Sequence, residues 1–318
     1  MSFAFVFPGQ GSQSVGMLAS LSGTDPVVRA TFDEASKVLG YDLWQLVQEG
    51  PAEQLNTTER TQPAMLAAGI ATARLWERLG GGAPSVVSGH SLGEFTALVA
   101  AGALDFSTAI ELVKFRGRVM QEAVPPGTGA MAAVLGLEDA DVEAACREAS
   151  QHGTVVEAVN FNSPGQVVIA GEAAAVQRAI EAAKARGAKR ALPLPVSVPS
   201  HSSLMNPAAE QLKQRLASVE VRAPRVRYIS AVDAQPHSDP AGLRELLGRQ
   251  LASPVRWRDT VRAIAGTGVQ QIIECGPGKV LTNLNKRVEQ VSGVTFAALE
   301  DPAALDAALN ATKGLPNA

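Results

Sequence analysis

The chain is poor in what a metal site, a disulfide scaffold or a membrane anchor requires. Its 318 residues include only two cysteines, Cys146 and Cys275, far apart in sequence. A disulfide framework takes more cysteines, and a metal centre takes ligands at clustered spacing. The four histidines, His90, His152, His201 and His237, show neither HxxxH nor HxH spacing. The two thiols read as reduced cysteines of a cytoplasmic protein, and no metal or other cofactor is expected. No uncharged apolar run reaches the roughly 18 residues of a membrane span. The N-terminal Met-Ser-Phe-Ala-Phe-Val-Phe-Pro lacks the basic flank and cleavage site of a secretory leader, so it reads as a buried first strand. Charge of one sign is also scarce: 28 Lys+Arg against 31 Asp+Glu leave a net −3. That is not the balance of a nucleic-acid binder. Internal repeats and low-complexity tracts are missing as well. Apolar residues are plentiful, at 46% of the chain. They suffice for a sizeable core and exclude a disordered chain.

Short apolar strands alternate with helix-period segments. Phe3 to Phe7, Ser85 to Ser88, Val226 to Ser230, Gln271 to Glu274 and Thr295 to Ala298 read as strands. Val28, Phe32, Ala35 and Leu39 form a helical stripe that stops at Gly40. Thr61 is expected to cap a second helix, with Pro63 in its first turn and its end at Gly80. Asp105 or Ser107 starts another helix, which the Pro125-Pro126-Gly127 stop ends. The alternation predicts α/β layering around a mainly parallel sheet. Residues 126–195 differ. Ala130 to Leu135, Val155 to Asn162, Gln166 to Ala170 and Arg190 to Leu194 read as strands. Asp139 to Ala149, with Asp139 as N-cap, and Ala173 to Arg186 read as helices. That order is β-α-β-β-α-β, the ferredoxin-like arrangement. Prolines bound it at both ends, as they would an insertion.

The chemistry concentrates after the strand at 85–88. Ser88-Gly89-His90-Ser91-Leu92-Gly93-Glu94 leads from strand to helix, as a nucleophile elbow does. Glycines flanking the serine permit the sharp turn and expose Ser91 above a helix N-terminus. The N–H of Leu92 then points where an oxyanion would form. The plain alternative is a glycine-rich βα turn. His90 is adjacent to Ser91, badly placed to take its proton, and reads as a packing or orienting residue. His201, after the proline-stiffened Leu194-Pro-Val-Ser-Val-Pro-Ser run, reads either as the base or as a satisfied structural histidine. No Asp or Glu stands out as a third triad member, and a dyad oriented by a backbone carbonyl would serve. Phe7-Pro8-Gly9-Gln10-Gly11 lacks the Lys-Ser/Thr of a phosphate loop. Its Gln10 N–H is a candidate second oxyanion donor, and a plain glycine turn fits equally. Arg116 lies on the apolar face of Leu112, Val113 and Met120. It needs a partner there, either a structural carboxylate or that of a substrate.

Taken together, Gly-Gln-Gly near the N-terminus, Gly-His-Ser-Leu-Gly-Glu, Arg-Gly-X-X-Met-Gln, Asn-Phe-Asn-Ser-Pro-Gly-Gln, Val-Pro-Ser-His and Gly-Pro-Gly-Lys-Val-Leu closely resemble the malonyl-CoA:acyl carrier protein transacylases of bacterial type II fatty acid synthesis. The resemblance covers 1–310. It implies an α/β fold, with an α/β-hydrolase-like core (1–125 and 196–318) carrying an inserted ferredoxin-like subdomain (126–195). It implies ping-pong transfer of malonyl from malonyl-CoA to the phosphopantetheine thiol of acyl carrier protein, through a malonyl-serine ester. Ser91 is then the nucleophile, His201 the base and later the acid, and the N–H groups of Gln10 and Leu92 the oxyanion donors. Arg116 holds the malonyl carboxylate, the Gln250 carbonyl orients His201, and Asn160 and Asn162 face the cleft. The partners implied are malonyl-CoA and acyl carrier protein, with neither nucleic acid nor membrane, for a monomer. Carrier protein is acidic, so Lys189 and Arg190, and separately Lys286 and Arg287, are candidate docking residues. Ser200, before the histidine, leaves the exclusion of methylmalonyl open.

Three other readings share parts of this pattern. An α/β-hydrolase esterase or thioesterase shares the elbow but runs Ser, acid, His and needs no carboxylate-binding arginine. A non-catalytic carrier-protein scaffold would have no use for Ser91, His201 and Arg116 together. A stand-alone acyltransferase of a polyketide or malonate decarboxylase system would keep all three.

Overall fold

The computed structural model describes residues 2–125, 127–151, 153–196, 198–288 and 291–312. Pro126, at the expected domain junction, lies outside the described residues, as do His152 and Ser197. Among the described residues the strands are β1 (Phe3–Phe7), β2 (Val86–Gly89), β3 (Gly129–Leu135), β4 (Val156–Ser163), β5 (Gln166–Glu172), β6 (Arg190–Pro193), β7 (Arg227–Ile229), β8 (Pro236–His237), β9 (Gln271–Glu274) and β10 (Thr295–Ala298).

They form two sheets. The first runs β10-β9-β1-β2-β7-β8, parallel throughout except for the short antiparallel β8. β1 is central and buried along its whole length. Its alternation divides the core in two: Phe3, Phe5 and Phe7 pack on one face, while Ala4 and Val6 pack on the other. Phe3 and Phe5 both meet Trp76, with ring centroids 5.5 Å away, tying the strand to the helix Thr58–Arg78. The second sheet is antiparallel, in the order β4-β5-β3-β6, and the helices Asp139–Ala149 and Ala173–Ala185 pack on it around a separate apolar cluster.

The stripe of Val28, Phe32, Ala35 and Leu39 is buried in the helix Val27–Leu39, which ends at Gly40 in the left-handed region. Asp105, not Ser107, caps the helix Phe106–Glu122, accepting from Thr108 N at 3.1 Å. Two expected caps are corrected. Thr61 lies inside the helix Thr58–Arg78, and its hydroxyl donates to the Leu55 carbonyl at 2.5 Å. The helix starts earlier because Gln121, on the neighbouring helix, supplies an acceptor for the first-turn N–H of Glu59 at 2.7 Å. Pro63 therefore sits inside the helix, beyond its first turn. Asp139 is the first helical residue rather than the cap, because its carboxylate is turned to Arg258, 2.8 Å away on the first unit.

That ion pair is one tie between the two units near the site. Another is a backbone clasp. Val255 N donates to Val159 O at 2.8 Å and Phe161 N donates to Val255 O at 2.9 Å. The clasp coincides with register shifts in β4 between Ala158 and Asn160 and between Phe161 and Ser163. A bulge bends and re-aims a strand, and this one lies where β4 reaches the cleft.

Candidate active site

β2 ends at Gly89, and Ser91 follows with φ +53°. A non-glycine residue in that region is strained, which the surroundings must enforce. The enforcement is steric. A Cβ on Gly89 would lie 1.9 Å from the Gly93 carbonyl carbon, and one on Gly93 would lie 2.0 Å from the Phe7 carbonyl oxygen. Both positions therefore need glycine. The turn presses against the end of β1 and releases directly into the helix Gly93–Ala100, at whose N-terminus Ser91 stands.

His201 comes from 110 residues further along the chain, also at positive φ, +68°. Its Nε2 lies 2.7 Å from Ser91 Oγ. Its Nδ1 faces two main-chain carbonyls, Gln250 O at 3.0 Å and Ser253 O at 3.1 Å. Two acceptors at Nδ1 place the proton there and leave Nε2 as the free base. Burial, then the charge of Arg116, push the imidazole down to about 3, against the pull of the Gln250 carbonyl. The ring is thus neutral at physiological pH, with Nε2 unprotonated and facing Ser91.

Arg116 is buried, and its guanidinium reaches the same hydroxyl. One terminal nitrogen donates to Ser91 Oγ at 3.2 Å and to Gln250 Oε1 at 3.0 Å. The other contacts Met120 Sδ at 3.3 Å, and Nε has no partner among the described residues. Burial lowers this group to about 9, partly offset by Glu94, so it remains cationic. A buried cation with unused donor capacity, beside a serine, suits an anionic ligand.

These groups open on a cavity of about 440 Å³ that Gln10, Leu92, Arg116, Met131, Asn160 and His201 help line. Gln10 and Leu92 line the same cavity as Ser91. Asn160 helps line the cavity, while its side-chain oxygen is buried and has no partner among the described residues. Asn162 is set back. Its Oδ1 engages His90 Nε2 at 2.9 Å, so it holds His90 rather than lining the cavity. His90 also packs on Trp257, an orienting role. The basic residues Lys189, Arg190, Lys286 and Arg287 are exposed and line no part of this cavity.

Comparison with known proteins shows which family the chain falls in. The model of the acyl transferase domain family matches residues 4–300. The malonyl CoA-acyl carrier protein transacylase of Salmonella typhimurium is 57% identical over 307 residues, covering 96% of this chain and 98% of that one. The chain belongs to the malonyl-CoA:acyl carrier protein transacylase family. A Bacillus subtilis transacylase is 44% identical over 98% of this chain and 97% of its own length. Among solved structures, an acyl carrier protein S-malonyltransferase of Vibrio cholerae superposes with a TM-score of 0.93 at 56% identity, covering 97% of this chain and all of that one. A malonyl-transacylase in complex with a type II polyketide acyl-carrier protein superposes at 0.95, with 55% identity over 98% of this chain and 100% of that one.

Sequence reasoning missed the Gln250 side chain in this transacylase site. Beyond its carbonyl, Gln250 donates from Nε2 to Ser91 O at 2.9 Å and to Glu94, and accepts from Arg116. It also missed the Ser253 carbonyl and the buried Glu94. The one available signal was Glu94 itself, a charge in the apolar run Gly-Glu-Phe-Thr-Ala-Leu-Val-Ala.

Proposed function

We propose that the chain is a malonyl-CoA:acyl carrier protein S-malonyltransferase of fatty acid biosynthesis, working through a malonyl ester on Ser91. One arrangement carries the reading: a serine hydroxyl held between a neutral histidine at 2.7 Å and a buried arginine at 3.2 Å. Ser91 Oγ attacks the thioester carbonyl as its proton passes to His201 Nε2. The N–H groups of Gln10 and Leu92 receive the oxyanion, each contributing on the order of 3 kcal/mol. The carbon–sulfur bond breaks, His201 returns the proton to the coenzyme A sulfur, and malonyl-serine remains. The phosphopantetheine thiol then gives its proton to His201 and attacks the ester, and the serine oxygen leaves with that proton. Arg116 pairs with the malonyl carboxylate, and Asn160 faces the substrate arm. No cofactor takes part.

The fold that supports this is an α/β-hydrolase-like core carrying the inserted ferredoxin-like subdomain. We assign the protein as a cytoplasmic monomer, and no described helix is long and apolar enough to cross a membrane. We propose one basic patch for carrier-protein docking. Arg287 donates to Gln166 Oε1 at 3.1 Å. Gln166 and Arg190 both pair with Leu135 on β3, one from each side. The two basic clusters of the sequence thus share one end of the second sheet.

The test is coenzyme A release from malonyl-CoA. A single-turnover burst that becomes continuous only on adding holo carrier protein is expected. Continuous release without carrier protein would make the chain a thioesterase instead.

A further inference from the structure

The helix that leaves the elbow buries a carboxylate, Glu94, at 1% exposure. Burial pushes the group up, and four donors oppose that. They are the Tyr228 hydroxyl at 2.6 Å, the Ser230 hydroxyl at 2.6 Å, the Ala231 N–H at 2.8 Å and Gln250 Nε2. Burial wins overall and the group stays raised, but each donor stabilises the ionised form, and the Ala231 N–H and the Gln250 amide N–H can only donate. Nothing in the acyl-transfer steps uses Glu94, yet it is joined to Arg116 through a single side chain.

We propose that Glu94 is a positioning residue for malonyl recognition: it fixes the Gln250 amide with its oxygen toward Arg116. An ionised carboxylate only accepts hydrogen bonds. It therefore demands the nitrogen end of the Gln250 amide, which also donates to Ser91 O at 2.9 Å. The oxygen end is left for Arg116, at 3.0 Å. Reversed, the amide would set an NH2 against the guanidinium, donor against donor, and move the cation off the Ser91 hydroxyl. The same Gln250 takes His201 Nδ1 on its main-chain carbonyl at 3.0 Å. Glu94 thus sets the orientation of the residue that touches nucleophile, base and substrate-binding cation alike. The inference rests on the malonyl-transfer reading of the site.

Loading of Ser91 from malonyl-CoA and from acetyl-CoA tests it, because acetyl lacks the carboxylate that Arg116 would hold. Glu94→Gln puts an amide that can also donate beside Gln250, so the orientation is no longer dictated. The malonyl-to-acetyl ratio is expected to fall about tenfold, the scale of one displaced hydrogen bond to a charged group. Glu94→Asp keeps an accept-only group and is expected to keep the ratio, even if both rates drop; it also serves if Glu94→Gln does not fold. Gln250→Met removes the amide but keeps the carbonyl that holds His201. Adding Glu94→Gln to it should lower the ratio no further. Proportional loss of both loadings in Glu94→Gln, collapse of the ratio in Glu94→Asp, or an additive loss in the double variant would each overturn the proposal. A wild-type chain that loads no malonyl would overturn the functional reading, and this inference with it, before any variant is compared.

Discussion

Arg116 holds a charge where water cannot reach it, and the cost is offset by hydrogen bonds and by Glu94 nearby. Its unused Nε and its contact with Ser91 Oγ make it the selectivity element of the proposed reaction. Hydrogen bonds to charged groups contribute about 1.5–3 kcal/mol. Arg116→Ala is therefore expected to slow malonyl loading on the order of 100-fold, while acetyl gains in relative terms. An unchanged malonyl-to-acetyl preference would remove the assignment. His201 gives a second prediction at this scale. An ordinary imidazole titrates at 6.5, and this one is pushed down to about 3. The acid limb of kcat/KM for malonyl loading should therefore lie well below 6.5, and a limb at 6.5 would contradict the geometry. The sign for stability follows from proton uptake. Between about 3 and 6.5 the unfolded chain binds a proton that the native ring refuses. His201 therefore lowers stability progressively as the pH falls through that window. Denaturant unfolding of the wild type and His201→Ala across this range measures the effect: the stability difference between them should change with pH inside the window and be constant above it.

At the scale of elements, the elbow depends on how closely β1, β2 and the helix Gly93–Ala100 approach. A Cβ at Gly93 would meet the Phe7 carbonyl, part of the central strand, which cannot yield. Gly93→Ala should cost about 3 kcal/mol, whereas Gly82→Ala, with open space around it, should be near neutral. Urea unfolding of both variants decides, and equal stabilities would count against the packing account. The elbow was legible because strand, glycines and helix are contiguous in sequence. The stripe at Val28, Phe32, Ala35 and Leu39 was legible for the same local reason. The start of the helix at Thr58 was not, because its first turn is satisfied by Gln121 on another helix. The aim of Asn160 and Asn162 depends on β4 register shifts and on the Val255 clasp, both non-local. Gln250 was legible as a carbonyl only through family resemblance. Its side chain could not be placed from sequence, since it meets Ser91, Glu94 and Arg116 across long stretches of chain.

At the scale of the whole molecule, the near-zero net charge averages over an uneven surface. Lys189, Arg190, Lys286 and Arg287 are distant in sequence and converge through Gln166 and Leu135. An acidic partner steered there would bind in a salt-dependent way. Reversing the charges at Lys189, Arg190 and Arg287 together should weaken transfer to carrier protein while sparing loading from malonyl-CoA. Equal loss in both half-reactions would contradict docking at this patch. The two units also meet at the cleft itself. The core supplies Ser91, Arg116, His201 and the carbonyls that orient it, while β3 and β4 supply Met131 and Asn160.

The central claim is a covalent malonyl group on one serine. Intact-mass analysis after incubation with malonyl-CoA alone, followed by peptide mapping, tests it most directly. A stoichiometric gain of one malonyl group on Ser91 is expected, absent in Ser91→Ala and removed by holo carrier protein. An unmodified chain, or a malonyl group that persists in Ser91→Ala, would contradict it.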